Sequence, residues 1–298
     1  MSLPTRKWLR QLVRLYTLHF PMEKGKGRLV HILRHWLISE EPLIVRVGSG
    51  YWMKLDLADY VQRCIYFFGC YEAPLAHYIV SLLRPGMVFV DVGAHVGQYT
   101  LLSSQAVGAE GRVFAFEPEP RNFERLITNI HLNGFTNVEA HNCAIADFVG
   151  ESSFYLEQPL KKDNANWGVY SLHRKAEWMQ YQEIQVSVTT LDSVLSSAKR
   201  VDVIKVDVEG AELLVFRGAE NILKKFHPVL IFEAEERNAQ NFGYSTVDVK
   251  EYIRSLGYSH YRLPRRKAQK RLIPAEVRGI EDYSTIVALP GGRGHAGV

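Results

Sequence analysis

Cysteine is scarce. The 298 residues hold three, Cys64, Cys70 and Cys143, and no two stand in a CxxC spacing. An odd, scattered set builds neither a disulfide framework nor a thiolate zinc site, and it suits a reducing compartment. No apolar run approaches the roughly 20 residues of a membrane-spanning helix, and the charged, histidine-broken start makes a poor secretory leader. The chain therefore reads as soluble and cytoplasmic. Also missing is the GxGxxG fingerprint of a dinucleotide site: aligned on Gly93, it needs glycines where His95 and Gln98 stand. Close approach of a pyrophosphate to the backbone is thereby disfavoured.

Uniform charge is lacking too. The net charge of +4 hides a split: residues 1–36 carry net +7, residues 262–298 net +5, and the span between them −8. An acidic body with basic ends differs from a uniformly basic nucleic-acid binder. In the first basic end Trp8, Leu9, Leu12, Val13, Tyr16 and Phe20 are spaced to share a helix face, with Arg6, Lys7, Arg10 and Arg14 interleaved. That helix either docks on the body, as most amphipathic helices do, or lays residues 6–20 on a membrane surface as a peripheral contact, where basic charge beside Trp suits an anionic interface. The second basic cluster, Arg262, Arg265, Arg266, Lys267, Lys270 and Arg271, holds no aromatic residue to stack bases. It reads as a solvated loop, and no nucleic-acid partner is expected. Residues 290–298 have nothing to bury and are expected to form a disordered tail.

What is present is the run VFVDVGAHVG over 88–97, followed by VFAFEP over 113–118. An apolar run ending in an acid and a glycine turn is how a buried parallel strand delivers its carboxyl edge to a ligand. Glu117 ends the second run, where a carboxylate accepts hydrogen bonds from both hydroxyls of a ribose. An acid two residues before the first glycine, and a second glycine four residues after it, suit S-adenosylmethionine (SAM). Asp91 can organise its ammonium end, directly or through water, and the turn amides can meet its carboxylate. The plainer alternative is a strand-turn-helix corner in which Asp91 only caps the helix.

Around these runs, strands and helices alternate: strands over 87–92, 112–117, 137–142, 202–207 and 228–233, helices over 97–107, 120–133, 210–224 and 246–256, and two last strands near 258–262 and 284–289. Continuous apolar strands separated by helices predict a doubly wound α/β domain with a central, mostly parallel sheet. A hairpin around Gly48 and Gly50 within 44–57 and helices over 59–68 and 73–83 precede it. The expected organisation is a basic helix and hairpin extension over 1–68, a main domain over 69–289 and the tail. An insertion over about 148–201 begins and ends with strand-like runs and carries Trp167, Tyr170, His173, Trp178 and Tyr181. Placed after the third strand, it is positioned to cover an acceptor, though its rings serve equally well as its own small core.

The second chemical run is VDVIKVDVEGAE over 201–212. Lys205 and Asp207 alternate onto one face of a strand, and a lysine in a buried strand is costly unless paired. Asp207 falls at the carboxyl end, Glu209 on the following turn, and Glu233 ends the next strand in the same way. Several carboxylates thus converge with one ammonium. Their plainer roles are pairing with Lys205 and, for Glu209 and Glu212, stabilising a helix N-terminus by about 0.3–1 kcal/mol.

Together DVGAHVGQYT (91–100), FEPEPRNF (116–123), NCAIAD (142–147), TLDS (190–193) and IKVDVEGAE (204–212) resemble the FkbM-type methyltransferase family over about residues 70–235, and GCYE (69–72) is similar to it as well. The resemblance implies a seven-stranded SAM-dependent methyltransferase sheet with a last antiparallel strand, and methyl transfer to oxygen, often on sugars or other small hydroxylated metabolites. It implies SAM contacts from Glu72, Asp91, Gly93 and Gly97, ribose contacts from Glu117, an adenine edge near Asn142 to Ala144, and Asp207 beside the methyl. His95 stands where such sequences often carry Asn, and its side chain can still face the cofactor as a further contact.

Transfer to a hydroxyl needs alignment and a base. Asp207 or Glu209 is the first candidate base and Glu233 the next, with Lys205 as orienter. A divalent cation held by these carboxylates and gripping a vicinal diol is an open alternative. The rival functions are RNA or protein methylation and a non-catalytic SAM-binding scaffold.

Overall fold

The computed structural model describes residues 3–21, 24–39, 41–48, 50–157, 170–172, 181–263, 272–275 and 284–291. Trp167, His173 and Trp178 of the insertion, most of the second basic cluster and residues 292–298 lie outside them.

The chain begins with α1 (Leu3–His19) and α2 (Lys26–Leu37), then a hairpin of β1 (Leu43–Arg46) and β2 (Trp52–Leu55). Two helices follow, α3 (Tyr60–Phe68) and α4 (Ala73–Leu82). The Asp59 carboxylate caps α3 by accepting from the Gln62 N–H, and Gly69 ends it at φ 79°. Pro85 and Gly86 then break the chain and launch β3 (Val88–Val92).

From β3 onward the alternation is regular: α5 (Gln98–Val107), β4 (Arg112–Phe116), α6 (Pro120–Leu132) and β5 (Val138–His141). Next come β6 (Ala144–Ile145), β7 (Gly150–Glu157), β8 (Tyr170–Ser171), β9 (Tyr181–Thr189) and the short α7 (Leu191–Val194). The alternation resumes with β10 (Val203–Val206), α8 (Glu212–Arg217), α9 (Glu220–Phe226) and β11 (Val229–Ala234). The described chain closes with α10 (Glu236–Gln240), α11 (Thr246–Ser255), β12 (Tyr258–Arg262), β13 (Ile273–Pro274) and β14 (Ser284–Pro290).

The main sheet runs β13-β12-β14-β11-β10-β3-β4-β5. Pairs from β11 through β5 are parallel, while β14 is antiparallel to both neighbours. The seven expected strands are all present, and two-residue β13 adds an eighth at the edge. Burial explains the apolar runs: every residue of β10 and all but the first of β3 are buried. From β3 the chain winds outward to β4 and β5, then returns to β10 and β11 on the other side. The crevice beyond the carboxyl ends of β3 and β10 is therefore a topological switch point, where ligands bind in open α/β sheets.

Two local differences from the expected elements stand out. The helix expected over 210–224 is broken into α8 and α9 at Gly218, where a Cβ would lie 1.9 Å from the Ala146 carbonyl oxygen. Pro290, the first residue of the expected tail, pairs with Tyr258 in the sheet, and the tail from residue 292 lies outside the described residues. The strand-like runs of the insertion form antiparallel β7 and β9, joined by β6 and β8 into a separate four-stranded sheet.

The amphipathic start forms a helix whose apolar stripe is divided between two surroundings. Val13 is buried, and Leu9 packs on the core that also holds Phe89, Leu101 and Val113. Trp8 and Leu12 face outward. Polar ties anchor the inner side: the Arg14 guanidinium donates to the Tyr66 and Arg46 carbonyls, and the Thr17 hydroxyl to that of Phe67.

Candidate active site

At the end of β3 the backbone turns through Gly93 (φ 81°), and the Gly93 and Ala94 amides both donate to the Phe116 carbonyl at 3.0 Å. A Cβ on residue 93 would lie 1.9 Å from the Asp207 carbonyl oxygen. Glycine is thus required where the β3 and β10 turns meet. His95 continues the turn at φ 52°, and its amide donates to Glu117 Oε2 at 2.7 Å. Glu117 Oε1 accepts from the Glu119 amide at 3.0 Å. This carboxyl is buried, and burial pushes its pKa up to about 8. The His95 ring also feels burial, which lowers its pKa, and its Nε2 is buried without a hydrogen-bond partner. Gly97, at φ 93°, starts α5 against Leu126, whose Cδ1 would be 2.6 Å from an added Cβ.

Across the crevice, Lys205 sits opposite Asp91 in the β10–β3 register. The lysine side chain is 3% exposed and the aspartate 0%, with Nζ 3.6 Å from Asp91 Oδ1 and 3.2 Å from Asp207 Oδ2. The Thr100 hydroxyl donates to Asp91 Oδ2 at 2.7 Å, and the Tyr99 ring lies 4.8 Å from the ammonium. Burial opposes the charged lysine, yet Asp207 and Asp91 outweigh it and raise its pKa. Burial raises that of Asp91 against the pull of Lys205 and Thr100. The ammonium is therefore held charged between one sealed carboxylate and one that reaches solvent: the Asp207 side chain is 38% exposed.

Further carboxyls surround Asp207. Glu72, at φ 49° before α4, accepts from the Tyr99 hydroxyl at 3.1 Å, and burial followed by the charge of Asp207 raises its pKa. The preceding loop is clamped by Gln98, whose side chain accepts from the Tyr71 N–H at 2.7 Å and donates to the Tyr71 carbonyl at 2.9 Å. Asn238 donates to Glu209 at 2.8 Å. Glu212 accepts from the Gly210 amide at 3.1 Å, and burial pushes its pKa to about 7. Glu233 is pushed to about 9 by burial and then by the charges of Asp207, Glu209 and Glu72.

One open cavity joins the two halves. Of the residues singled out from sequence, Glu72, Gly93, His95, Glu117, Ala144, Lys205, Asp207, Glu209 and Glu233 line it. Asp91, Gly97 and Asn142 do not line it: the first two are buried behind the wall and Asn142 is exposed. Asp91 holds Lys205 and Thr100, and the Asn142 amide ties the Glu117 and Pro118 carbonyls at 2.8 and 3.1 Å. Tyr71, Gln98 and Tyr99 also line the cavity, as do Phe154 and Leu172 from the insertion; sequence reasoning did not single them out. The signal for the α5 residues was a helix with no charged side chain whose polar groups Gln98, Thr100, Ser103 and Ser104 are all buried. Among the described residues, no group of three or more His, Cys, Asp or Glu side chains is arranged to hold a metal ion, and no helix is long and apolar enough to cross a membrane.

The cavity's chemistry fits SAM. Its acidic end suits a ligand with an ammonium and a sulfonium, Glu117 stands ready for a diol, and Phe116, Pro118, Cys143 and Ile145 form an apolar slot. The unpartnered His95 Nε2 offers one more polar contact.

The Methyltransferase FkbM domain matches residues 91–259, more than half of the chain. The chain belongs to the FkbM methyltransferase family. It is 30% identical over 184 residues to Methyltransferase 1 of Beauveria bassiana, covering 56% of this chain and 69% of that one. It is 27% identical over 208 residues to the hexuronic acid methyltransferase AglP of Haloferax volcanii, covering 67% and 79%. The solved Methyltransferase FkbM from Methylobacillus flagellatus KT superposes with a TM-score of 0.44 at 14% identity; the match covers 89% of this chain and 59% of that one.

Proposed function

We propose that the chain is a SAM-dependent O-methyltransferase whose acceptor is a hydroxyl of a sugar, glycoconjugate or other small hydroxylated metabolite. The observation that carries this reading is the convergence of Asp207, Glu209 and Glu233 with Lys205 on one cavity with the Gly93 turn and Glu117. When bound, SAM supplies a methyl group already activated by a positive sulfonium. Glu117 would accept from its ribose hydroxyls, the Cys143 to Ile145 edge would meet the adenine, and Glu72 would take the ammonium.

The remaining work is alignment and removal of one proton. Asp207 is the base: Lys205 fixes its carboxylate at 3.2 Å, and its exposed side would accept the acceptor's hydroxyl proton as the oxygen–methyl bond forms in place of the methyl–sulfur bond and S-adenosylhomocysteine leaves. Glu233 and Glu209 accept hydrogen bonds from neighbouring hydroxyls and so select a polyol over an apolar alcohol. The phenyl ring of Phe154, reaching the cavity from the insertion, offers a flat face to a sugar ring. The name of the Haloferax volcanii relative, a hexuronic acid methyltransferase, supports a sugar acceptor.

Labelled SAM incubated with panels of monosaccharides, glycans, polyols, tRNA and protein tests this reading. Label on a sugar or polyol oxygen, located by mass spectrometry and NMR, is the expected result. Label confined to RNA or protein would overturn the acceptor class. Binding of SAM with no transfer to any fraction of host metabolites would favour a scaffold.

A further inference from the structure

We propose that the outer face of the α1–α2 hairpin is a docking surface for an anionic lipid bilayer. Each helix has two apolar faces. The inner one holds Val13 on α1, with Val30 and Leu37 on α2, all in one hydrophobic core. Elsewhere on α1, Trp8, Leu12 and Leu15 stand at i, i+4 and i+7 and are 67%, 61% and 56% exposed. On α2, Ile32 and Trp36 occupy the matching outer positions, 56% and 41% exposed.

Arg10 donates to the Leu37 carbonyl and Lys26 to that of Thr17, so the helices run antiparallel. That register sets Trp8 level with Trp36, and Leu12 with Ile32. Because both helices anchor their inner faces in the same core, both outer faces point away from it. Trp52, on the adjoining hairpin, is exposed beside its strand partner Arg46.

Charge decides the occupant. Residues 1–36 carry net +7, and Lys7, Lys24 and Arg28 are exposed. Two copies meeting through this face would bring +7 against +7, whereas an anionic headgroup layer attracts it and admits Trp and Leu to its boundary. The acidic remainder of the chain is repelled from the same layer, which orients the protein with this hairpin towards the lipid. No described helix can span, so the contact is peripheral and reversible.

Co-sedimentation of the full chain with vesicles tests this directly, using phosphatidylcholine alone or with one third phosphatidylglycerol. The chain is expected to pellet with the anionic vesicles, much less with the neutral ones, and less as salt rises. Trp8→Ser/Leu12→Ser/Trp36→Ser is expected to keep the wild-type thermal melt and lose roughly tenfold or more in partitioning. Lys7→Glu/Arg28→Glu, at surface positions that leave the core untouched, should abolish the preference for anionic lipid. Failure of the wild type to pellet with anionic vesicles would overturn the proposal. So would equal pelleting of wild type and both variants, or a dimer in light scattering that the serine variant dissolves while vesicles bind nothing.

Discussion

Replacing Lys205 with Met removes the ammonium that pairs with both Asp91 and Asp207 while keeping most of the side chain's volume. At the effective dielectric that suits protein sites, near 20, a pair at 3.6 or 3.2 Å is worth about 5 kcal/mol before desolvation. The Asp207 share is discounted because that carboxylate reaches solvent and screens itself. Asp91 has no such escape, and breaking a buried pair by removing one partner typically costs 3–5 kcal/mol. We expect a loss of about 3 kcal/mol at pH 8, measured by urea denaturation. The sign of the pH dependence follows from Asp91: without Lys205 its folded pKa rises further above the unfolded value, so the variant's stability is lost as pH climbs and the deficit shrinks towards pH 4. Asp91→Asn in the same chain should recover about half of the loss, since Thr100 can still donate to the amide oxygen. A deficit below about 1 kcal/mol at pH 8, or a double variant that is simply additive, would refute the pairing as the reason a lysine is tolerated there.

Gly93→Ala should unfold at lower temperature and bind SAM at least about tenfold more weakly, because its Cβ would meet the Asp207 carbonyl at 1.9 Å in a left-handed conformation that itself costs about 1 kcal/mol; an unchanged melt and affinity would contradict the tight approach of β3 to β10. Glu233→Gln should be more stable than wild type at pH 8.5 by about 1–3 kcal/mol. Wild-type Glu233 retains its proton to about pH 9 when folded but releases it near 4.5 when unfolded, so its contribution disappears as pH rises and the gap closes near pH 4. A gap that is constant with pH counts against a carboxyl raised by its neighbours. Asp207→Asn should keep SAM affinity within about threefold and lower turnover by roughly a hundredfold or more. Activity should survive exhaustive dialysis against EDTA, since Lys205 holds the Asp207 carboxylate at 3.2 Å; loss restored by Mg2+ would reinstate a cation on the diol.

The alternation of apolar strands and helices made the sheet legible, because strands buried on both faces leave continuous runs that few other structures need. The same runs ended in the residues that matter, and Asp91, Glu117, Asp207 and Glu233 all fall at strand ends. Lys205 was readable as a lysine that must be paired, and its same-face relation to Asp207 followed from strand alternation. Its second partner was not, since opposing Asp91 depends on the register of two strands 114 residues apart. The Gln98 clamp on Tyr71 and the approach of Glu72 to Tyr99 were hidden for the same reason: each joins segments 27 residues apart with no local pattern to announce it. The division of the N-terminal stripe escaped a sequence reading because helical spacing shows that apolar residues are neighbours on a wheel. It does not show which of them the body will cover.

Titration calorimetry of the full chain with SAM, S-adenosylhomocysteine and NAD, repeated on Glu117→Ala, tests the central assignment of the cavity most directly. The expected result is saturable one-site binding of SAM and S-adenosylhomocysteine, no comparable heat with NAD, and an affinity lowered by roughly tenfold to a hundredfold when the ribose-binding carboxylate is removed. Preference for NAD, or SAM binding indifferent to the loss of Glu117, would contradict it.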